Sequence, residues 1–168
     1  MNGFGKIDCH IRWMIRRDMP EVLATETQSF PSPWSEDDFI RCLRQRNCIG
    51  MVAEHDEKII GFMLYELHKA RLHVLNLAVH PEFRRRGVGV RFIDKLKGKL
   101  SIDTGRRQRL VLPVADYNLP AQLFCRACRL RATHISEQYF STTGDYLDRD
   151  IDAYIFEFCA TKEEPCRL

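Results

Sequence analysis

The sequence predicts a mixed α/β domain in which short strands alternate with amphipathic helices. Three observations point there. Short runs with period-two apolar patterning alternate with stretches of helical spacing. Residues 47 to 67 read as one β-hairpin. Residues 71 to 100 pass from an apolar strand, through a basic loop containing two glycines, into an amphipathic helix. The 168 residues suit one domain, and 45% hydrophobic with 29% charged residues describe an ordinary globular protein.

Taken in order, residues 1 to 10 read as an N-terminal extension, 11 to 158 as the domain and 159 to 168 as a C-terminal tail. Ile11 to Ile15 alternate as a first strand. Asp18 then stands at an N-cap position with Glu21 where a capping box places its acid, and Val22, Leu23, Thr27 and Phe30 supply an amphipathic face. Phe30-Pro31-Ser32-Pro33-Trp34-Ser35-Glu36 excludes regular structure through its two prolines. Ser35 with Asp38 opens a second helix through Phe39, Ile40 and Leu43. Asn47 to Glu54 and Lys58 to Leu67 form the hairpin, turning at Asp56-Glu57.

Leu72, Val74, Leu75, Leu77 and Val79 form the next strand, which Pro81 ends because it offers no N–H to a ladder. Arg84, Arg85 and Arg86 follow, then Gly87 and Gly89, then Phe92, Ile93, Leu96 and Leu100 at helical spacing, with Thr104-Gly105 as the helix end. Arg109 to Ala115 is a further strand, and Pro113 within it implies a strand edge or a splay. Asn118 caps a helix with Pro120 in its first turn, and Ala121, Phe124, Cys125 and Cys128 form its packing face. Tyr139-Phe140 and Ala153 to Phe158 complete a hairpin across the polar segment 141 to 152.

Several functional classes are excluded. No stretch approaches the ~18 apolar residues of a membrane span, and the N-terminus lacks a signal-peptide core, so a cytoplasmic protein is expected. A net charge of +3 is too small to argue for nucleic acid. Its clustering around Arg84, Arg85, Arg86, Arg91, Lys95, Lys97 and Lys99 suits a polyanionic cofactor better. Seven scattered cysteines suit reduced thiols. Cys125-x-x-Cys128 has no second C-x-x-C or histidine pair beside it, so buried thiols are expected there and no metal.

The strand–loop–helix unit is a phosphate cradle in outline. The first turn of a helix carries unpaired N–H groups at the positive end of its dipole. Glycine at 87 and 89 removes Cβ atoms that would hold a diphosphate off the backbone. Neither G-x-G-x-x-G nor G-x-x-x-x-G-K-[ST] is present. Arg84-Arg85-Arg86-Gly87-Val88-Gly89, placed after Leu77-Ala78-Val79-His80-Pro81, instead resembles the acetyl-CoA signature of the GNAT superfamily, [RQ]-x-x-G-x-[GA] after a strand ending V-x-P. The proline-rich loop resembles that of bacterial ribosomal-protein alanine N-acetyltransferases. The resemblance covers about residues 11 to 158 and implies the GNAT fold, a central mixed, mostly antiparallel sheet flanked by helices, with two splayed strands that admit acetyl-CoA.

It further implies roles by position. Acetyl-CoA would be held by Arg84, Arg85, Arg86, Gly87, Val88, Gly89 and Val90, by the backbone of Leu77, Ala78 and Val79, and by Asn118. The Val79 N–H would stabilise the oxyanion, a contribution on the order of 10²-fold. Phe30 and Trp34 would line the acceptor site, or else lid the core. Tyr139 and Phe140 would frame a peptide entrance, or pack a hairpin.

The proton carriers depart from the family. The glutamate expected five residues before the helix-capping asparagine is Pro113, the tyrosine expected as general acid is Cys125, and a usual Gly-Phe pair is Arg129-Leu130. Two replacements present themselves. Cys125, with an ordinary thiol pKa of ~8.5, could protonate the departing thiolate, or be inert packing. His73 stands where some eukaryotic N-terminal acetyltransferases carry a tyrosine. Near pKa ~6.5 it could take a proton from an α-amine of ~7.7–8.0, or be a bland strand histidine.

The expected activity is therefore transfer of acetyl from acetyl-CoA to a protein or peptide N-terminal amine. A small-molecule amine acceptor is the rival, and so is a cofactor-binding module without turnover. The sequence leaves the oligomeric state open.

Overall fold

The computed structural model describes residues 5–101, 107–140 and 151–160. Among these, seven strands form one mixed sheet in the order β1-β2-β3-β4-β5-β7-β6, accompanied by four α-helices. The strands are β1 (His10–Trp13), β2 (Cys48–His55), β3 (Lys58–Leu67), β4 (Arg71–Val79), β5 (Arg109–Ala115), β6 (Arg131–Phe140) and β7 (Ile151–Cys159). The helices are α1 (Met19–Ser29), α2 (Glu36–Leu43), α3 (Val88–Lys97) and α4 (Leu119–Ala127). This order along the chain is the expected one. The chain divides into two compact units, residues 1–67 with 74–94, and residues 68–73 with 95–168. No helix of the described residues is long and apolar enough to cross a membrane.

In the first unit, β1, β2 and β3 pair antiparallel. The β2–β3 turn places Asp56 and Glu57 at φ 46° and 62°, the left-handed pair that matches the twist of a two-residue hairpin. The core gathers Met19 and Val22 of α1, Phe39 of α2 and Val52, Phe62, Leu64 and Ala78 of the strands. Gly61 is required by close approach: a Cβ there would lie 3.0 Å from the Ala78 carbonyl oxygen and 3.4 Å from Val79 Cα.

Three local expectations change. The first strand stops at Trp13, and Ile15 is followed by a single 3-10 turn, Arg16–Asp18. Asp18 precedes α1 but makes no side-chain cap. Its carboxylate instead accepts from the Ile15 N–H at 2.8 Å and from both terminal nitrogens of Arg12 at 2.7 and 2.8 Å. Burial alone would raise the Asp18 pKa, but these bonds outweigh it and hold the group below the usual carboxylate range. Glu21 accepts from the Ile59 N–H of β3 at 3.0 Å, so it ties helix to sheet. Finally, the buried face of α1 runs through Met19, Val22, Thr25 and Glu26, while Thr27 is exposed and bonds back to the Leu23 carbonyl. The Ser35–Asp38 capping box of α2 forms as expected.

In the second unit, β4 and β5 pair in parallel at Arg71↔Arg109, Leu72↔Leu110 and His73↔Val111. Pro113 lies two residues beyond the last of these pairs, where β5 is laddered to β7, which fits its missing N–H. β7 also pairs antiparallel with β6. Lys97 donates to the Cys128 carbonyl and lies over the Phe158 ring, 4.3 Å from its centroid. Helix α3 ends at Lys97; the expected Thr104-Gly105 terminus, most of the polar 141 to 152 segment and residues 161 to 168 of the tail lie outside the described residues.

Candidate active site

The glycine loop is built in the first unit. Strand β4 ends at Val79, and a short 3-10 turn, Pro81–Phe83, reverses the chain. Arg84 then folds back, its Nε donating to the Val79 carbonyl at 2.8 Å and its Nη2 to the Ser29 hydroxyl at 2.9 Å. Arg84 is thus a staple between the end of β4, the loop and the end of α1. Arg85 is exposed with φ 62°. Arg86 lies over the Phe83 ring at 5.7 Å, and its carbonyl accepts from the Ile7 N–H at 3.2 Å.

Gly87 has φ +86°, and the nearest atom to a Cβ there would be Lys6 Cγ at 3.9 Å. The space is open, and it is the backbone angle that demands glycine. The first bond within α3 runs from Arg91 N–H to the Gly87 carbonyl, so the N–H groups of Val88, Gly89 and Val90 precede the intrahelical ladder. The first turn of α3 contains no acidic residue. Val88 is buried as an anchor while Val90 is exposed. A positive helix end, an open glycine and flanking arginines fit a diphosphate group on electrostatic and steric grounds.

The end of β4 has a directed backbone. His80 N–H donates to the Ile60 carbonyl of β3 at 2.9 Å. Alternation along the strand then turns the Val79 N–H toward the opposite edge. Leu77 and Ala78 precede it, Ala78 buried beside Gly61.

Glu26 was not singled out in the sequence, yet it ties the proline-rich loop to the sheet. The residue is 1% exposed, and its carboxylate accepts from the Trp34 N–H at 2.8 Å and from Asn76 Nδ2 at 3.0 Å. Burial raises its pKa, against the lowering effect of those two bonds. One signal could have found it: Glu26 falls at helical spacing from Met19 and Val22, on the stripe that should be apolar. Phe30 and Trp34 pack against the core of this unit, and the Trp34 ring meets Phe39 edge-on at 5.5 Å.

The second unit holds the remaining residues. His73, at the last β4–β5 pair, is half-buried, and its Nε2 lies 3.0 Å from the Tyr139 hydroxyl. The His68 ring is 6.2 Å from that of His73. Tyr139 packs edge-on against Phe140 at 4.9 Å, and Phe140 packs against Val111, Ala153 and Ile155. Asn118 caps α4, its side-chain oxygen accepting from the Ala121 N–H at 3.2 Å. Cys125 is fully buried, and burial pushes its thiol up to about 12.

Comparison with known proteins places this geometry. Residues 16–128 match the acetyltransferase (GNAT) family, and the chain belongs to that family. It is 25% identical over 136 residues to the ribosomal protein bS18-alanine N-acetyltransferase of Salmonella typhimurium, covering 81% of this chain and 90% of that one. The crystal structure of the ribosomal-protein-S18-alanine N-acetyltransferase of Escherichia coli superposes with a TM-score of 0.73 at 21% identity, covering 96% of this chain and all of that one. That of Arabidopsis thaliana NAA60 in complex with acetyl-CoA gives 0.74 at 17% identity, over 91% of this chain and all of that one. Both structures share the GNAT fold expected from the glycine loop.

Proposed function

We propose that this chain transfers the acetyl group of acetyl-CoA to the α-amine of a protein or peptide N-terminus. The observation that carries this reading is the Gly87 loop: an open, left-handed glycine at the mouth of α3, inside the stretch matched by the family. The similarity to ribosomal-protein S18-alanine N-acetyltransferases of Salmonella typhimurium and Escherichia coli supports the choice of a protein acceptor.

When bound, acetyl-CoA supplies an activated acyl thioester. The N–H groups of Val88, Gly89 and Val90 would hold its diphosphate, with Arg85 and Arg86 adding charge, while Arg84 fixes the loop. The backbone of Leu77 and Ala78 would align the donor arm, and the Val79 N–H would be the donor set toward the acyl carbonyl oxygen, where a preorganised hydrogen bond contributes most. Asn118 sets the start of α4 and lends its side chain to the donor. Phe30 and Trp34, steadied by Glu26, together with Tyr139 and Phe140, present the acceptor chain.

His73 takes the proton from the amine. The contact between its Nε2 and the Tyr139 hydroxyl, 3.0 Å long, orients the ring. Cys125 serves as packing under α4 in this reading.

The experiment is a paired assay: acetyl transfer to a library of peptides with varied N-termini, and to a panel of polyamines and aminoglycosides. Saturable, CoA-releasing transfer to peptides alone is expected. Turnover confined to the small amines would overturn the acceptor assignment, and absence of both with intact CoA binding would overturn the activity.

A further inference from the structure

Two of the buried cysteines are not parted by the core. Cys42, in the last turn of α2, and Cys48, the first residue of β2, bring their Sγ atoms to 3.1 Å in the first unit. Both are 9% exposed. The chain between them is a tight connection: Gln45 N–H bonds to the Cys42 carbonyl at 3.0 Å, and Cys48 N–H to the Gln45 carbonyl at 3.1 Å. Arg44, Gln45 and Arg46, between the two cysteines, are exposed. A disulfide needs its sulfurs at about 2.05 Å, so roughly one ångström of χ1 adjustment separates contact from bond.

We infer that Cys42 and Cys48 form an oxidation site, which a small hydroperoxide converts to a reversible intrachain disulfide. The hydrogen bond between the two thiols favours the thiolate at Cys42 and the proton on Cys48; Cys42 is therefore taken as the sulfur that reacts first, an order the Cys48→Ala product below tests. The Cys42 sulfur attacks one oxygen of hydrogen peroxide, breaking the O–O bond and giving a sulfenic acid and water. The Cys48 sulfur then attacks Cys42 Sγ, the S–O bond breaks, and the Cys48 proton leaves with the hydroxide as a second water. Two thiols and one peroxide become one disulfide and two waters.

The link would join the end of α2 to β2. Phe39, one turn earlier on α2, meets the Trp34 ring, so oxidation stiffens the helix beneath the acceptor-side loop. The influence on acetyl transfer rests on the function proposed above; the disulfide itself does not.

The test uses the full chain, oxidised with stoichiometric hydrogen peroxide under native conditions, then denatured, alkylated and digested with trypsin. Cleavage after Arg41, Arg44 and Arg46 frees Cys42-Leu43-Arg44 from the peptide spanning 47–58. The expected result is these two peptides joined, released by dithiothreitol. In Cys48→Ala the expected product is a Cys42 sulfenic acid trapped by dimedone. Recovery of both wild-type peptides singly, alkylated or as sulfinic acids, while Cys159 is oxidised, would overturn the inference. Because the wild-type digest decides, a poorly folding variant does not blunt the test, and no acetyl transfer is read.

Discussion

Tyr139 lies across from His73 at the hydroxyl-to-Nε2 distance of a hydrogen bond, 3.0 Å, although 66 residues separate them in sequence. If His73 is the base, Tyr139 is its positioning residue. Tyr139→Phe keeps the edge-on contact with Phe140 and removes the bond. We expect kcat to fall about tenfold and the acidic limb of the pH–rate profile to move, with peptide KM little changed. His73→Ala should cost on the order of 10² in kcat and abolish that limb. Profiles of wild-type shape from both variants would reject the assignment.

Gly87 offers the cleanest test of donor binding. Alanine there must hold φ +86°, a strain that costs about 1–2 kcal/mol. CoA affinity in Gly87→Ala should weaken roughly tenfold, the equivalent of about 1.4 kcal/mol, and Gly87→Trp should abolish binding. Isothermal titration on both proteins reads this directly.

Glu26 gives stability a pH dependence of unusual sign. Its folded pKa is raised, so the native state binds its proton more tightly than the unfolded chain does. That contribution is complete below the ordinary glutamate value of ~4.3 and is lost as pH rises through the folded value. Glu26→Gln should remove this decline, flattening urea-denaturation free energies measured from pH 4.5 upward. Glu26→Ala should cost about 1–3 kcal/mol at any pH, since it leaves the Trp34 N–H and Asn76 amide without their acceptor.

At Gly61, any side chain meets backbone. With the Ala78 oxygen 3.0 Å from a Cβ, Gly61→Ala must push β3 away from the end of β4. A loss of about 1–3 kcal/mol is expected, visible as a lower thermal midpoint. If Val79 acts as proposed, kcat falls as well.

The Asp56-Glu57 turn should accept improvement. Glu57 holds φ 62° with a Cβ that disfavours it, so Glu57→Gly should raise stability by about 0.5 kcal/mol after glycine's own entropy cost. Urea unfolding midpoints of the two proteins measure the gain.

Much of this fold was legible because its signals are local. Ser35–Asp38, Asn118 with Pro120 and the Gly87 loop each combine a residue type with a backbone need, and each stands where spacing placed it. Asp18 and Glu21 looked equally like a capping box, but Arg12 and the Ile59 N–H lay within reach and took both carboxylates, contacts that no local pattern announces. The same holds for Glu26, whose partners Trp34 and Asn76 are 8 and 50 residues away, and for the thiol contact of Cys42 with Cys48. Arg84 shows the limit within a recognised motif. It reads as one of three equivalent charges, yet its guanidinium is spent on Val79 and Ser29.

The segment ahead of β1 bears on how the protein is handled. Ile7 bonds to the Arg86 carbonyl, Asp8 pairs with Arg91 at 3.1 Å, and Lys6 approaches Gly87. Residues 6 to 8 thus run beside Arg86, Gly87 and Arg91, and an acidic leader fused ahead of them would compete for the proposed diphosphate site. Acidic leaders must be cleaved before donor affinities are compared.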